Sequence, residues 1–358
     1  MIDLQSDTVT KPTAGMYEAM VSAEVGDDMF GQDPTVKQLE ALMMEICDKP
    51  AAVFACSGTQ SNQMALFSHC RPGDELLING TGHIARYEGG APAILSGVTC
   101  RVIEAPDGML DIADLEPCLH IDDQHLCQTR LVCLENTTNL GGGKAYQLEQ
   151  LDRVCEWAHA HGLKVHMDGA RLFNATVAQG YSAGRLLQHV DSVSICFSKG
   201  LGCPMGSMLL GDEELITRAR RFRKVMGGAL RQAGVVAGAA IYAMENNVDR
   251  LEEDHAHARL FAEGIASLNG IILDSRKIET NIIYFQIDPE VCTADEFVNV
   301  LRTRNVAVGA LGKQLVRAVT HLDLSRADIE TSVQQIQEMM ATNIPEAAKQ
   351  TSSIKGTY

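Results

Sequence analysis

The chain has 358 residues, 46% of them hydrophobic, and a formal charge of −16. That length suits one large domain with a sizeable core plus a smaller one, and the acidic balance disfavours nucleic-acid binding, which needs a basic face for phosphates. No apolar run approaches the ~18 residues that span a bilayer, and Met1–Asp7 lacks the basic-then-apolar order of a secretory signal. A cytoplasmic protein without membrane partners is therefore expected. The 11 cysteines show no CxxC spacing, which fits buried thiols rather than a zinc or redox pair.

Residues 1–30 are polar and glycine-dotted, with no clear helical or strand period, and read as an arm that packs against something else. From Asp33-Pro34-Thr35, Val36, Leu39, Leu42, Met43 and Ile46 recur at helical spacing. Short apolar runs then alternate with helical stretches, and the predicted strands are 51–55, 75–79, 131–135, 164–167, 192–197 and 207–211. An intervening helix at 147–161 places Leu148, Leu151, Val154, Cys155 and Ala158 on one face. The alternation predicts an α/β fold, with a mainly parallel sheet and helices on both faces, for a large domain at 31–250. The basic run from Arg218 to Lys224 reads as a solvated helix face or as a site for something anionic.

Past residue 250 a charged helix at 251–268, a strand at 281–287, a helix at 294–304, a strand-like run at 306–319 and a helix at 325–340 make a small C-terminal α+β domain, 251–343. Residues 344–358 read as a disordered tail.

Ligands of parallel sheets bind at the carboxyl ends of strands, so the polar residues after each strand are the candidates. Gly58-Thr59, between a strand and a helix, offers backbone N–H groups and a hydroxyl for a phosphate, or the turn is an ordinary helix start capped by Ser57 or Thr59. Asp168 ends an apolar strand, and a buried carboxylate there needs a partner: a protonated pyridinium nitrogen or Arg171. Lys199 follows the run 192–197 and precedes Gly200-Leu201-Gly202. Desolvation would favour a neutral amine able to form a Schiff base, and the bland alternative is a snorkelling lysine. His83, after the strand 75–79, could stack on a planar ring, move a proton, or be structural. The four together, each after its own strand, are what a pyridoxal 5′-phosphate site needs.

Along nearly the whole chain the sequence resembles the L-threonine aldolases of the β-eliminating lyase group. The matching stretches include Asp3-Leu4-Gln5-Ser6-Asp7, Gly26-Asp27-Asp28-Met29-Phe30-Gly31, Ser57-Gly58-Thr59, Leu134-Glu135-Asn136-Thr137, Asp168-Gly169-Ala170-Arg171, Ser198-Lys199-Gly200-Leu201-Gly202, Arg231-Gln232-Ala233-Gly234 and Arg317-Ala318-Val319-Thr320-His321. The resemblance implies the type I fold of pyridoxal-phosphate enzymes with a seven-stranded-type sheet, and retro-aldol cleavage of β-hydroxy-α-amino acids to glycine and an aldehyde. It implies that Lys199 is the Schiff-base lysine, Asp168 the partner of the pyridine nitrogen and His83 the stacked imidazole. Gly58 and Thr59 match the phosphate turn, Arg171 an arginine near cofactor and substrate, and Lys224 and Arg231 basic residues near the phosphate. Ser6 and Arg317 match groups for the substrate carboxylate, and His125 a second histidine near the substrate hydroxyl. A homo-oligomer, usually a dimer of dimers with shared active sites, is implied as well; no metal is expected, because the histidines show no ligand spacing such as HExxH.

Departures from the family pattern occur at Gln5, Tyr87, Thr138 and Ala229-Leu230. Thr138 stands where relatives carry a histidine, which puts the handling of the β-hydroxyl in question. The alternatives that keep the scaffold are a β-elimination lyase and an amino-acid racemase; a non-catalytic scaffold is disfavoured by intact Lys199, Asp168 and His83.

Overall fold

The computed structural model describes residues 1–121 and 123–341; the tail expected at 344–358 lies outside them. The chain divides into a unit spanning Lys11–Asp249 and a second made of Met1–Thr10 with the chain from Arg250 onward.

The larger unit is built on seven strands: β1 (Ala51–Ala55), β2 (Glu75–Asn79), β3 (Thr99–Ile103), β4 (Thr129–Glu135), β5 (Lys164–Gly169), β6 (Ser192–Cys196) and β7 (Ser207–Gly211). They lie in the order β1-β7-β6-β5-β4-β2-β3, and only β7 runs against its neighbours. Every residue of β2, β6 and β7 is buried, as expected where helices cover both faces of a sheet. Fully burying each Leu or Ile side chain here stabilises the unit by about 1.5–3 kcal/mol. Helices Gly58–His69 and Glu213–Val225 pack on β1 and β7 through Met64, Ala65, Leu215 and Phe222, with the Phe67 and Phe222 rings stacked at 3.8 Å.

In the larger unit two elements differ from the sequence reading. Strand β3 was not expected: it is a sheet edge whose Thr99 and Val102 are exposed, so no continuous apolar run marks it. Inside the arm at 1–30, Ala14–Ser22 is a helix capped by the Thr13 side chain on the Met16 N–H. Its contact uses small residues rather than an apolar stripe. A Cβ on Gly238 of helix Gly234–Asn246 would come within 2.7 Å of the Ala19 carbonyl, which explains the missing period.

In the second unit, strands Gly309–Ala310, Leu315–Val319, Ile282–Ile287 and Ile271–Ile272 form an antiparallel sheet in that order. The run 306–319 is thus three short strands, folded back where the Leu311 N–H meets the Leu315 carbonyl at 2.9 Å. Ile2–Asp3 pairs in parallel with Val306–Ala307. Phe261, Phe285 and Phe297 centre its core against helices Leu251–Ile265, Ala294–Thr303 and Arg326–Ala341.

Candidate active site

Because β1, β2, β4, β5 and β6 all point the same way, their following residues collect at one edge. Glu135 and Asp168 are register partners at the ends of β4 and β5, and Lys199 follows β6 by three residues. His83 opens the short helix after β2, and Gly58 and Thr59 begin the twelve-residue helix after β1.

At that helix start the Ser57 hydroxyl accepts the Gln60 N–H at 3.2 Å, a cap that does not engage the Gly58 and Thr59 N–H groups. A Cβ on Gly58 would meet the Cys196 sulfur at 2.5 Å, because β1 and β6 flank the same strand. Only glycine lets the turn approach so closely. The Lys199 ammonium lies 3.5 Å from that same sulfur, so the amine and the phosphate-type turn share one neighbour.

Around Asp168 the polar groups are buried and ordered. The Asn62 amide nitrogen donates to Asp168 Oδ2 and to Glu88 Oε1, both at 2.8 Å, and the Ala170 N–H donates to Asp168 Oδ1 at 3.1 Å. His83 Nδ1 donates to Glu88 Oε1 at 2.9 Å, and Gln63 donates to Glu88 Oε2. Burial pulls the His83 imidazole down, but the Glu88 hydrogen bond and the Asp168 and Glu88 charges outweigh it, so its pKa lies above the ordinary value. Glu135 accepts the His83 N–H at 2.7 Å and the Asn139 N–H at 2.6 Å. Burial, and then the Asp168 charge, push its carboxyl up to about 7.

His83, Glu88 and Asp168 also stand within 4.8 Å of one another, as metal ligands could. Their carboxylate oxygens already accept from Asn62, Gln63 and Ala170, donors that a cation would have to displace. The cluster is a hydrogen-bond network. A cavity beside it is lined by His83, Glu135, Asp168, Asn79, Leu110 and Tyr146.

The other expected site residues lie as follows. Arg171 is buried three residues past Asp168, at the start of helix Leu172–Gln179. His125 is exposed, its ring on Asp123 Oδ1 at 2.8 Å, and is not brought into the His83 cluster. Lys224 is exposed, and Arg231 pairs with Asp27 at 2.8 Å. The basic run is not a uniformly solvated face: Arg223 is buried against Asp28 and the Phe54 carbonyl, and Arg220 binds Glu40 and the Ala52 carbonyl. In the second unit Arg317 is buried with Nη2 donating to the Gln5 carbonyl at 3.0 Å, and the Ser6 hydroxyl accepts from Thr8. Thr138 uses its hydroxyl to accept the Lys144 N–H at 3.1 Å, closing the loop after β4.

Sequence reasoning missed Asn62, Glu88 and Glu135 as site residues. Glu135 had a signal, closing its strand as Asp168 closes the next. Asn62 had a weaker one, since Gln60-Ser61-Asn62-Gln63 puts four polar residues at the start of a helix that must cover the sheet.

An enzyme fold with this strand-end constellation is matched by the family model for beta-eliminating lyases over residues 3–288, and the chain belongs to that family. The relatives narrow the comparison. Over 335 residues it is 43% identical to a probable low-specificity L-threonine aldolase 2 of Arabidopsis thaliana, with 92% of this chain and 94% of the other covered. It is 42% identical over 330 residues to the low specificity L-threonine aldolase of Escherichia coli strain K12, covering 92% and 96%. The solved Leishmania major threonine aldolase has the same fold, with a TM-score of 0.82 at 21% identity over 95% of this chain and 100% of that one.

Proposed function

We propose that this protein is a pyridoxal-phosphate-dependent aldehyde-lyase that cleaves L-threonine, L-allo-threonine and related β-hydroxy-α-amino acids to glycine and an aldehyde. Near-full-length identity of 42% to a low specificity L-threonine aldolase is the observation that carries the reading. The strand-end residues support it by their chemistry. When bound, the cofactor would supply an electron sink for breaking the Cα–Cβ bond. Lys199 would hold it through its amine, Asp168 would keep a proton on the ring nitrogen, and the Gly58 and Thr59 N–H groups would receive its phosphate at a helix start. Arg171 would lie near cofactor and substrate, and Lys224 and Arg231 are assigned to the phosphate by the family match alone. So are Ser6 and Arg317 to the substrate carboxylate, a pairing that suits a guanidinium.

Cleavage requires a base for the β-hydroxyl proton. With Nδ1 of His83 engaged by Glu88, Nε2 is the nitrogen left to take it. His125, beside Asp123, is the other candidate. A homo-oligomer is part of the proposal, and exposed Val21, Phe30 and Val225 offer apolar surface for a second copy. No helix among the described residues is long and apolar enough to cross a membrane, and a cytoplasmic setting is proposed.

The deciding experiment supplies the purified protein and pyridoxal phosphate with L-threonine, L-allo-threonine and β-substituted alanines. Glycine plus aldehyde from the threonines is the expected outcome. Pyruvate from the alanines, or inversion at Cα without cleavage, would replace this reading with an eliminase or a racemase.

A further inference from the structure

Behind Asp168 a single file of polar groups, buried except at half-buried His69, links the helix Gly58–His69 to strands β5 and β6. His69 Nε2 lies 2.7 Å from the Ser192 hydroxyl, and that hydroxyl lies 2.8 Å from His166 Nδ1. His166 Nε2 lies 3.1 Å from the Asn62 amide oxygen, which also accepts from the Ser194 hydroxyl. Asn62, Ser192, Ser194 and His166 are all buried.

Donor and acceptor roles are forced along this file. The Asn62 nitrogen faces two carboxylates, so it must be the donor end, and the amide oxygen must take protons from His166 and Ser194. His166 then carries its hydrogen on Nε2 and accepts on Nδ1 from Ser192, which in turn accepts from His69. Burial keeps both histidines neutral: it lowers His166 to about 4 and His69 to about 3. Every bond in the file thus points toward the carboxylates. All four hydrogen-bonding positions of Asn62 are used, so its amide cannot flip without facing an oxygen to each carboxylate.

We propose that Asn62 is a positioning residue whose two N–H bonds hold Asp168 and Glu88 side by side and couple the ring-nitrogen carboxylate to the His83 imidazole. The Asn62 amide hydrogen-bonds to Glu88, Asp168, His166 and Ser194, so it acts on His83 through Glu88. It supplies each carboxylate with a neutral donor where a lysine or arginine would have quenched its charge, so Asp168 stays available to a pyridinium proton and Glu88 to His83 Nδ1. The groups that set the His83 proton are then Glu88 and Asp168 on one side, the Lys199 charge opposing them, and the Glu135 carboxyl behind its backbone. The cofactor half of this assignment rests on the function proposed above; the coupling to His83 does not.

Asn62→Asp is the discriminating variant, since it keeps the shape and turns the donor end into a third carboxyl. At about pH 8.5 the variant should bind pyridoxal phosphate at least about tenfold more weakly than wild type, and at about pH 6, where the new acid can hold a proton and donate it, the gap should close. Affinity equal to wild type at both pH values, or lost equally at both, would overturn the proposal. In the full chain without added cofactor, the His83 ring is followed by NMR, assigned by its absence in His83→Asn. Its midpoint should fall by about one unit in Glu88→Gln and rise in Asn62→Asp. If Asn62→Asp does not fold, Glu88→Gln decides: an unmoved His83 midpoint and unchanged cofactor affinity reject the coupling. A wild-type protein that binds no pyridoxal phosphate would reject the proposed function, while the His83 titration would still report on the bridge.

Discussion

Glu135 and Asp168 leave the same sheet edge as register partners on adjacent parallel strands, yet their carboxyl groups are satisfied differently. Among the described residues, Asp168 accepts from a side chain and one N–H, whereas Glu135 accepts only backbone N–H groups, from His83 and Asn139. Glu135 therefore ties the loop after β2 to the loop after β4. Glu135→Ala should lower stability by about 1–3 kcal/mol, the cost of leaving buried donors unmet, read from urea denaturation. Its effect on pH dependence has a definite sign. A carboxyl raised from 4.5 to about 7 binds its proton more tightly in the folded state. Its contribution is greatest below pH 4.5 and is lost as pH rises toward about 7. Glu135→Gln should flatten that fall, and a wild-type slope in the variant would show that Glu135 does not titrate there.

Lys199→Ala should leave the fold intact, since the side chain is only half-buried, and should abolish both the shift in visible absorbance that pyridoxal phosphate undergoes on bonding to the wild-type protein and glycine release from threonine. Absorption spectra and a glycine assay on the same sample check this. Undiminished turnover would remove Lys199 from the chemistry.

The fold was legible where burial is symmetrical. Strands β2, β6 and β7 are buried along their whole length, and their apolar runs marked them in the sequence. Edge strand β3 and the helix Ala14–Ser22 were not, because one is half wet and the other packs through glycine and alanine. At the site, Lys199 and Asp168 were visible as charged residues ending apolar runs. Glu88 was not, since it follows a four-residue helix and precedes Gly89-Gly90, both at positive φ, so only the folded turn brings it onto His83. Asn62 is neutral and carries no charge signal; its role comes from contacts 106 and 104 residues away.

Gly58→Ala should destabilise by about 1–3 kcal/mol through overpacking, because the added methyl meets the Cys196 sulfur and that strand cannot retreat. It should also weaken pyridoxal phosphate binding. Cys196→Ala in the same chain removes the sulfur, so the double variant should recover much of the Gly58→Ala loss. A double-mutant cycle with no coupling would mean that the turn is limited by something other than this contact.

Acid should weaken the larger unit through the same buried file that serves Asn62. His69, held at about 3, and His166, at about 4, stay neutral in the fold but protonate in the unfolded chain near 6.5. The unfolded state then binds more protons, so the stability these groups contribute is present above about pH 6.5 and is lost as pH falls below it, by up to about 1.4 kcal/mol per unit for each group. Glu135 works in the opposite direction over part of this range, so the total slope does not isolate either histidine. His69→Gln does, since a glutamine amide can still donate to Ser192 but cannot take up a proton. Thermal denaturation of wild type and His69→Gln between about pH 7 and 5 should show the variant losing less stability on acidification. Equal slopes would mean that His69 gains its proton without unfolding, and that the file is open to water.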